Sequence, residues 1–253
     1  MIVRTREVVK EFARFYFRPL TPTQWHNELL GRRWNNIYAL CPVPIFFKFK
    51  IADVLKKYKS KCAVSNGNLA ANGSYYGNSV EFLKYFDFNE VYGRLKVASQ
   101  QEFLVKEGLL FEDLDVSIIC RNLQDKEALL NMIGFKSKYA DKIQVDNNYY
   151  HNENAYIKVN VDGNYVNVSL QQTADNNIDG NICINIKEGL NCLEEIKSQS
   201  QSIFRVLINE GILVEGKDNF IVKFSNKPLI SVYFQEKGKN WLIYTNDYRN
   251  NQG

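Results

Sequence analysis

Histidine, methionine, proline and cysteine are scarce in this 253-residue chain, at 2, 2, 5 and 5 residues. Two histidines, His26 and His151, are too few for a His-rich metal site. Only His26 falls in the first half, so Ser–His or Cys–His catalysis has little to draw on there. The five cysteines (Cys41, Cys62, Cys120, Cys183, Cys192) are odd in number, scattered and without a CxxC pair. That pattern argues for reduced thiols and against a disulfide framework or a zinc site. With 14 Gly and 5 Pro the chain is not collagen-like or low-complexity, and 13% aromatic content excludes disorder. No apolar run reaches the ~18–20 residues of a membrane span. The opening MIVRTREVVKEF has neither the apolar core nor the small-residue cleavage site of a secretory signal. GxSxG, P-loop, GxGxxG and HExxH motifs are all missing. The expectation is a cytoplasmic protein with no metal and no membrane partner.

Charge is present but uneven. The net charge is +4, yet residues 1–61 hold 13 Lys/Arg against 4 Asp/Glu, and residues 147–253 hold 10 against 12. A basic first half is the footprint of a protein that meets phosphates, in nucleic acid or a dinucleotide, although the KKYKSK run also reads as a solvated face. The texture changes near residue 146. Before it, short strands alternate with short helices: Arg14 to Phe17, Val43 to Phe49, Ala98 to Lys106 and Val116 to Cys120 read as strands. Thr5 to Phe12, Ile51 to Tyr58, Ser79 to Tyr85 and Asp125 to Ile133 read as helical, with Gly134 as a stop. Ser65 to Gly77 is a polar, Gly/Asn-rich loop. After Asp146 the pattern is mainly β. Asp162-Gly163 is expected as the loop of a hairpin between Ala155–Val161 and Asn164–Leu170. Strands are expected at 181–187, 219–224, 229–235 and 240–245, with one long helix over Leu193 to Glu210. The expected class is α+β, with a first domain over 1–146 and a β-rich accessory module over 147–253.

Two segments stand out chemically: ARFYFRPLTPTQWHNE (13–28) and SQQEFLV (99–105). In a strand 98–105, Glu102 shares a face with Ala98, Gln100 and Leu104. A carboxylate among such neighbours is costly to bury unless it is paired or used. On pattern alone, an edge-strand glutamate facing solvent is the simpler interpretation.

ARFYFRPLTPTQWHNE, followed in order by CPVPIFF, VSNGNLAANGSYYGN and QQEFLV, resembles the DarT domain over roughly residues 4–135. DarT proteins are ADP-ribosyltransferases that attach ADP-ribose from NAD to DNA bases. They are usually toxins of toxin–antitoxin or phage-defence systems. The resemblance implies an ADP-ribosyltransferase-like split mixed β-sheet core, with NAD as co-substrate and single-stranded DNA as acceptor. A macrodomain-type antitoxin would reverse the modification. It implies Glu102 as the catalytic carboxylate, hydrogen-bonding the nicotinamide ribose and stabilising the charge that develops as nicotinamide leaves.

By the same resemblance Phe15 and Phe17 wall the nicotinamide pocket, although at least one of them is expected to fill the core instead, and Arg4 or Arg6, with Arg14 as fallback, grips the NAD phosphates. The loop Phe88 to Ser99 faces DNA through Arg94 and Lys96, with Gln100 beside it. Asn68 stands where many relatives have His, Asn66 where they have Asp; both also suit a turn. His26 is a further candidate for substrate contact. The family's first strand, with its HxT-type motif, is expected to be missing, because residues 1–12 contain no His. A nucleic-acid-binding relative without catalysis, or a phage-sensing module joined to an effector, is the alternative.

Overall fold

The computed structural model describes residues 7–28, 43–79, 89, 91, 100–152, 157–170, 180–186, 194–197, 204–208, 212–216, 219–223, 230–236 and 239–246. Its first half builds two small sheets. β1 (Phe12–Tyr16), β3 (Cys62–Ser65), β4 (Tyr76–Gly77) and β5 (Glu102–Lys106) form a four-stranded sheet in the order β1-β5-β3-β4. Every neighbouring pair in it is antiparallel. β2 (Phe46–Phe49), β6 (Val116–Cys120) and β7 (Ile143–Val145) form the second, in the order β2-β6-β7, with β6 and β7 parallel. The helices are short: α1 (Pro22–Asn27), α2 (Ile51–Tyr58) and α3 (Leu123–Ile133). None of the described helices is long and apolar enough to cross a membrane.

Strand alternation gives the four-stranded sheet two different faces. Phe103, Val105, Val64 and Cys62 pack with Val54 of α2, and Phe15, Phe17, Phe49 and Tyr58 close around them. The opposite face carries Ala63, Leu104, Leu69 and Val9, with Phe12 against them. Phe49 also joins the cluster of Val116, Ile118, Cys120 and Ile143, so one ring ties the two sheets together. On α2 only Val54 and Tyr58 turn inward; Leu55 is exposed.

α3 starts where Asn122 accepts the Asp125 N–H at 2.9 Å, an N-cap that satisfies one orphan donor. It stops where Gly134, at φ +86°, returns its N–H to the Leu130 carbonyl. Gln124 fastens this helix to the strand that begins at Ile157, donating to the Ile157 carbonyl and accepting from the Val159 N–H.

The remainder is β throughout its described residues. β8 (Ile157–Asp162), β9 (Tyr165–Leu170), β13 (Ile212–Gly216) and β14 (Asn219–Lys223) form a sheet in the order β13-β14-β9-β8. β10 (Gly180–Ile186), β11 (Glu194–Lys197), β12 (Phe204–Ile208), β15 (Ile230–Glu236) and β16 (Lys239–Thr245) form another, in the order β11-β12-β10-β15-β16.

The α+β class and the short helices agree with the sequence reading, but three expectations need correction. No long helix runs from Leu193 to Glu210: β11 and β12 occupy it, antiparallel to each other, with β12 parallel to β10. Phe-Arg-Val-Leu-Ile, rich in β-branched and aromatic residues, is strand material. The hairpin turn lies one residue later than expected. Asp162 pairs with Tyr165, so the loop is Gly163-Asn164, and Gly163 takes the positive φ of +56°. Finally, β5 begins at Glu102, not Ala98, because β1 ends opposite it at Tyr16. The expected helix at 79–85 lies outside the described residues, apart from Ser79.

Candidate active site

Glu102 is fully buried, at 0% exposure. It sits at the start of a central strand, between β1 and β3, and not on an edge facing solvent. An ionised carboxylate there must be compensated, and it is. Arg14 Nε donates to Oε2 at 3.0 Å and Nη2 donates to Oε1 at 2.5 Å, a fork-on-carboxylate pair. The Leu69 N–H adds a third bond to Oε2 at 3.0 Å.

The sheet register explains why these groups meet. Tyr16 pairs with Glu102 and Arg14 with Leu104, so Arg14, Tyr16 and Glu102 project from the same face. Ser65, at the end of β3, continues the row: its Oγ accepts the Glu102 N–H at 3.2 Å and donates to the Gly67 carbonyl at 2.6 Å. Tyr76 on β4 pairs with Ser65 in turn.

The polar loop after β3 closes over this row. Asn66 clamps its base, donating its N–H to the Tyr75 carbonyl and accepting the Tyr75 N–H at Oδ1. Ser74 Oγ donates to the Asn68 carbonyl at 2.8 Å. These bonds hold the chain so that the Leu69 N–H points at Glu102 while the Asn68 side chain reaches Arg14. Asn68 Oδ1 accepts Arg14 Nη2 at 2.7 Å. Asn66 therefore does turn work alone, and Asn68 belongs to the site.

Tyr16 is the residue that sequence reasoning missed. Its hydroxyl donates to Thr23 Oγ1 on α1 at 2.9 Å. Burial, and then the negative charge of Glu102, push its phenol up to about 12. Strand alternation was the available signal: Arg14 and Glu102 on one face require Tyr16 there too.

That alternation also bears on the two phenylalanines, of which at least one is expected in the core. Phe15 and Phe17 point to the other side of the sheet, where Phe15 meets Phe49 edge-on at 5.6 Å and Phe17 meets Phe103 at 6.2 Å. They fill the core and do not join Glu102's face. Arg14's guanidinium is directed at Glu102 and Asn68. Gln100 lies half-buried in a turn before β5, off the strand, so its amide does not extend Glu102's row. Arg4, Arg6, Arg94, Lys96 and the side chain of His26 lie outside the described residues.

α1 is held in place from below. The Glu28 carboxylate, 4% exposed, accepts the His151 and Asn152 N–H groups at 2.9 and 3.1 Å. Gln24 donates to the Tyr149 carbonyl and accepts the Leu20 N–H, which steadies a turn where Leu20 has φ +62°. The KKYKSK run is a solvated face: Lys56, Lys57 and Lys61 bond Asp53, Asp113 and Glu107 at 3.1, 2.8 and 2.5 Å. Among the described residues no three His, Cys, Asp or Glu side chains gather into a metal-binding group.

The family model described as "ssDNA thymidine ADP-ribosyltransferase, DarT" matches residues 2–151, more than half of the chain. Among solved structures, the chain is similar to Thermus sp. 2.9 DarT in complex with NAD+, at 13% identity and a TM-score of 0.43, over 56% of this chain and 73% of that one. It is similar also to Thermus sp. 2.9 DarT in complex with ADP-ribosylated ssDNA, at 14% identity and a TM-score of 0.43, over 56% of this chain and 69% of that one. No curated protein matches it.

Proposed function

This chain belongs to the DarT family, and from that premise we propose that it transfers ADP-ribose from NAD to thymidine in single-stranded DNA, with Glu102 as the catalytic carboxylate. The observation that carries the proposal is the placement of that carboxylate. It is fully buried, yet its cover is Arg14, whose side chain is 24% exposed, so the open side of the pair is the arginine side.

That arrangement suits a group that must meet developing positive charge. Buried in low dielectric and fixed by three hydrogen bonds, the carboxylate needs little reorganisation as the ribose becomes oxocarbenium-like. It is also an acceptor for the ribose hydroxyl and for the proton of the attacking base. Arg14 holds both oxygens in one plane, and it offers a cation where the dinucleotide phosphates approach. Tyr16 and Ser65 fix the strand positions on either side.

We read the protein further as a cytoplasmic toxin of a toxin–antitoxin or phage-defence system, its modification reversed by a macrodomain-type antitoxin. The β-rich part is then an accessory module. The chemistry is tested by incubating the protein with NAD and thymidine-containing single-stranded oligonucleotides. Mass spectrometry is expected to detect a single ADP-ribose adduct, and Glu102→Gln is expected to lower its rate by about 100-fold or more. An adduct formed at the wild-type rate by folded E102Q protein would end the assignment of Glu102. Salt-sensitive oligonucleotide binding with no NAD dependence would favour a non-catalytic relative instead.

A further inference from the structure

α1 is only six residues long, too short to persist in water by itself. It is clasped by the segment 149–152, which is remote in sequence. Gln24 Nε2 donates to Glu28 Oε1 and to the Tyr149 carbonyl, both at 2.5 Å. Glu28 Oε2 accepts the His151 and Asn152 N–H groups. His151 Nε2 lies 3.1 Å from the Thr21 carbonyl, an atom that only accepts, so that nitrogen carries the hydrogen. Thr21, Gln24 and Glu28 are all buried. From the same helix, Thr23 Oγ1 takes the Tyr16 hydrogen at 2.9 Å. Tyr16 sits directly across the sheet from Glu102 and on its face. The Glu102 carboxylate is a second acceptor within reach of the Tyr16 hydroxyl. One hydroxyl hydrogen makes one such bond at a time, so Thr23 and Glu102 compete for it.

We propose, on the transferase reading given above, that α1, set by Glu28, regulates the catalytic carboxylate by keeping the Tyr16 hydrogen off it. Glu102 already accepts from Arg14 twice and from the Leu69 N–H, and the lone pairs left over are those the nicotinamide ribose needs. When α1 shifts and Thr23 withdraws, the Tyr16 hydroxyl turns to Glu102. It then fills an acceptor position and weakens the negative field offered to the developing cation. Glu28 and Thr23 are thus positioning residues that act through Tyr16.

The test measures kcat for ADP-ribose transfer to a thymidine oligonucleotide at saturating NAD. Glu28→Gln and Thr23→Val are each made in the wild-type chain and in Tyr16→Phe, with folding checked by circular dichroism. In E28Q the amide must set its NH2 against a donor, either Gln24 Nε2 or the two backbone N–H groups, and the clasp loosens. T23V keeps the side chain's shape, removes its acceptor and leaves the buried cluster alone, so it reads the same competition should E28Q not fold. Both are expected to lower kcat about tenfold in the wild-type chain. Neither is expected to lower it further in Y16F, which has no hydroxyl to misdirect. Equal losses in the two backgrounds would make α1 a structural prop and overturn the inference, as would wild-type turnover in T23V or in folded E28Q. A wild-type protein that leaves DNA unmodified would remove the transferase reading and this inference together.

Discussion

Removing Arg14 while keeping Glu102 tests the energetic logic of the site. In Arg14→Met the aliphatic stem is retained and the guanidinium is lost, so a fully buried carboxylate loses its counter-charge and two hydrogen bonds while keeping the Leu69 N–H. Orphaning one member of a buried ion pair typically costs 3–5 kcal/mol, most of it the penalty of the unpaired charge. The arginine side is 24% exposed and therefore partly screened, which brings the expected loss to roughly 3 kcal/mol. Glu102→Gln is expected to cost only ~1 kcal/mol, because Gln still accepts from Leu69 and the freed Arg14 can turn to solvent. In the double variant nothing charged is left buried, so its loss should also stay near ~1–2 kcal/mol. The four proteins form a double-mutant cycle, read as urea midpoints at constant m value. The expected coupling is about 2 kcal/mol or more, with R14M rescued by E102Q. Additive losses, or a double variant less stable than R14M, would refute the claim that Arg14 compensates a buried charge.

Alkaline stability follows from Tyr16, whose phenol is raised to about 12 from 10.0 by burial and then by Glu102's charge. A pKa raised on folding gives stability that is fully present below pH 10 and lost as pH rises through about 12, a decline on the order of 2–3 kcal/mol. Denaturant midpoints across that window are expected to fall less steeply in Tyr16→Phe, and an identical slope would contradict the assignment. Tyr150→Phe is expected to cost about 1–2 kcal/mol by urea titration, because the buried hydroxyl lies 2.7 Å from the Ile119 carbonyl and 3.0 Å from that of Pro44. A neutral result would mean those carbonyls find other partners.

The local elements of the first half were largely legible because they rest on short-range chemistry. Ile51–Tyr58 and Val116–Cys120 form as read, and Gly134 stops its helix as expected. Cys62–Ser65 was not legible as a strand: four small or β-branched residues between a lysine run and a loop carry too little pattern. The segment Leu193 to Glu210 misled for the opposite reason. Its apolar spacing fits a helix, but the choice was made by pairing with β10, a partner distant in sequence.

The site was legible in its residue types and not in its facing. Glu102, Arg14 and Asn68 were each identifiable, yet their roles depend on which side of the sheet each strand residue takes. That is fixed by a register in which Tyr16 meets Glu102, and a slip of one residue would have brought Phe15 and Phe17 to the carboxylate and sent Arg14 and Tyr16 into the core. The cost of that slip explains why it does not happen. Phe15 would leave its contact with Phe49, Glu102 would lose its cation, and Arg14 would be buried among Val54, Val64 and Val105. The alternation Arg-Phe-Tyr-Phe thus does two jobs at once. Its phenylalanines fix the register, and the register aims the arginine and tyrosine at the carboxylate.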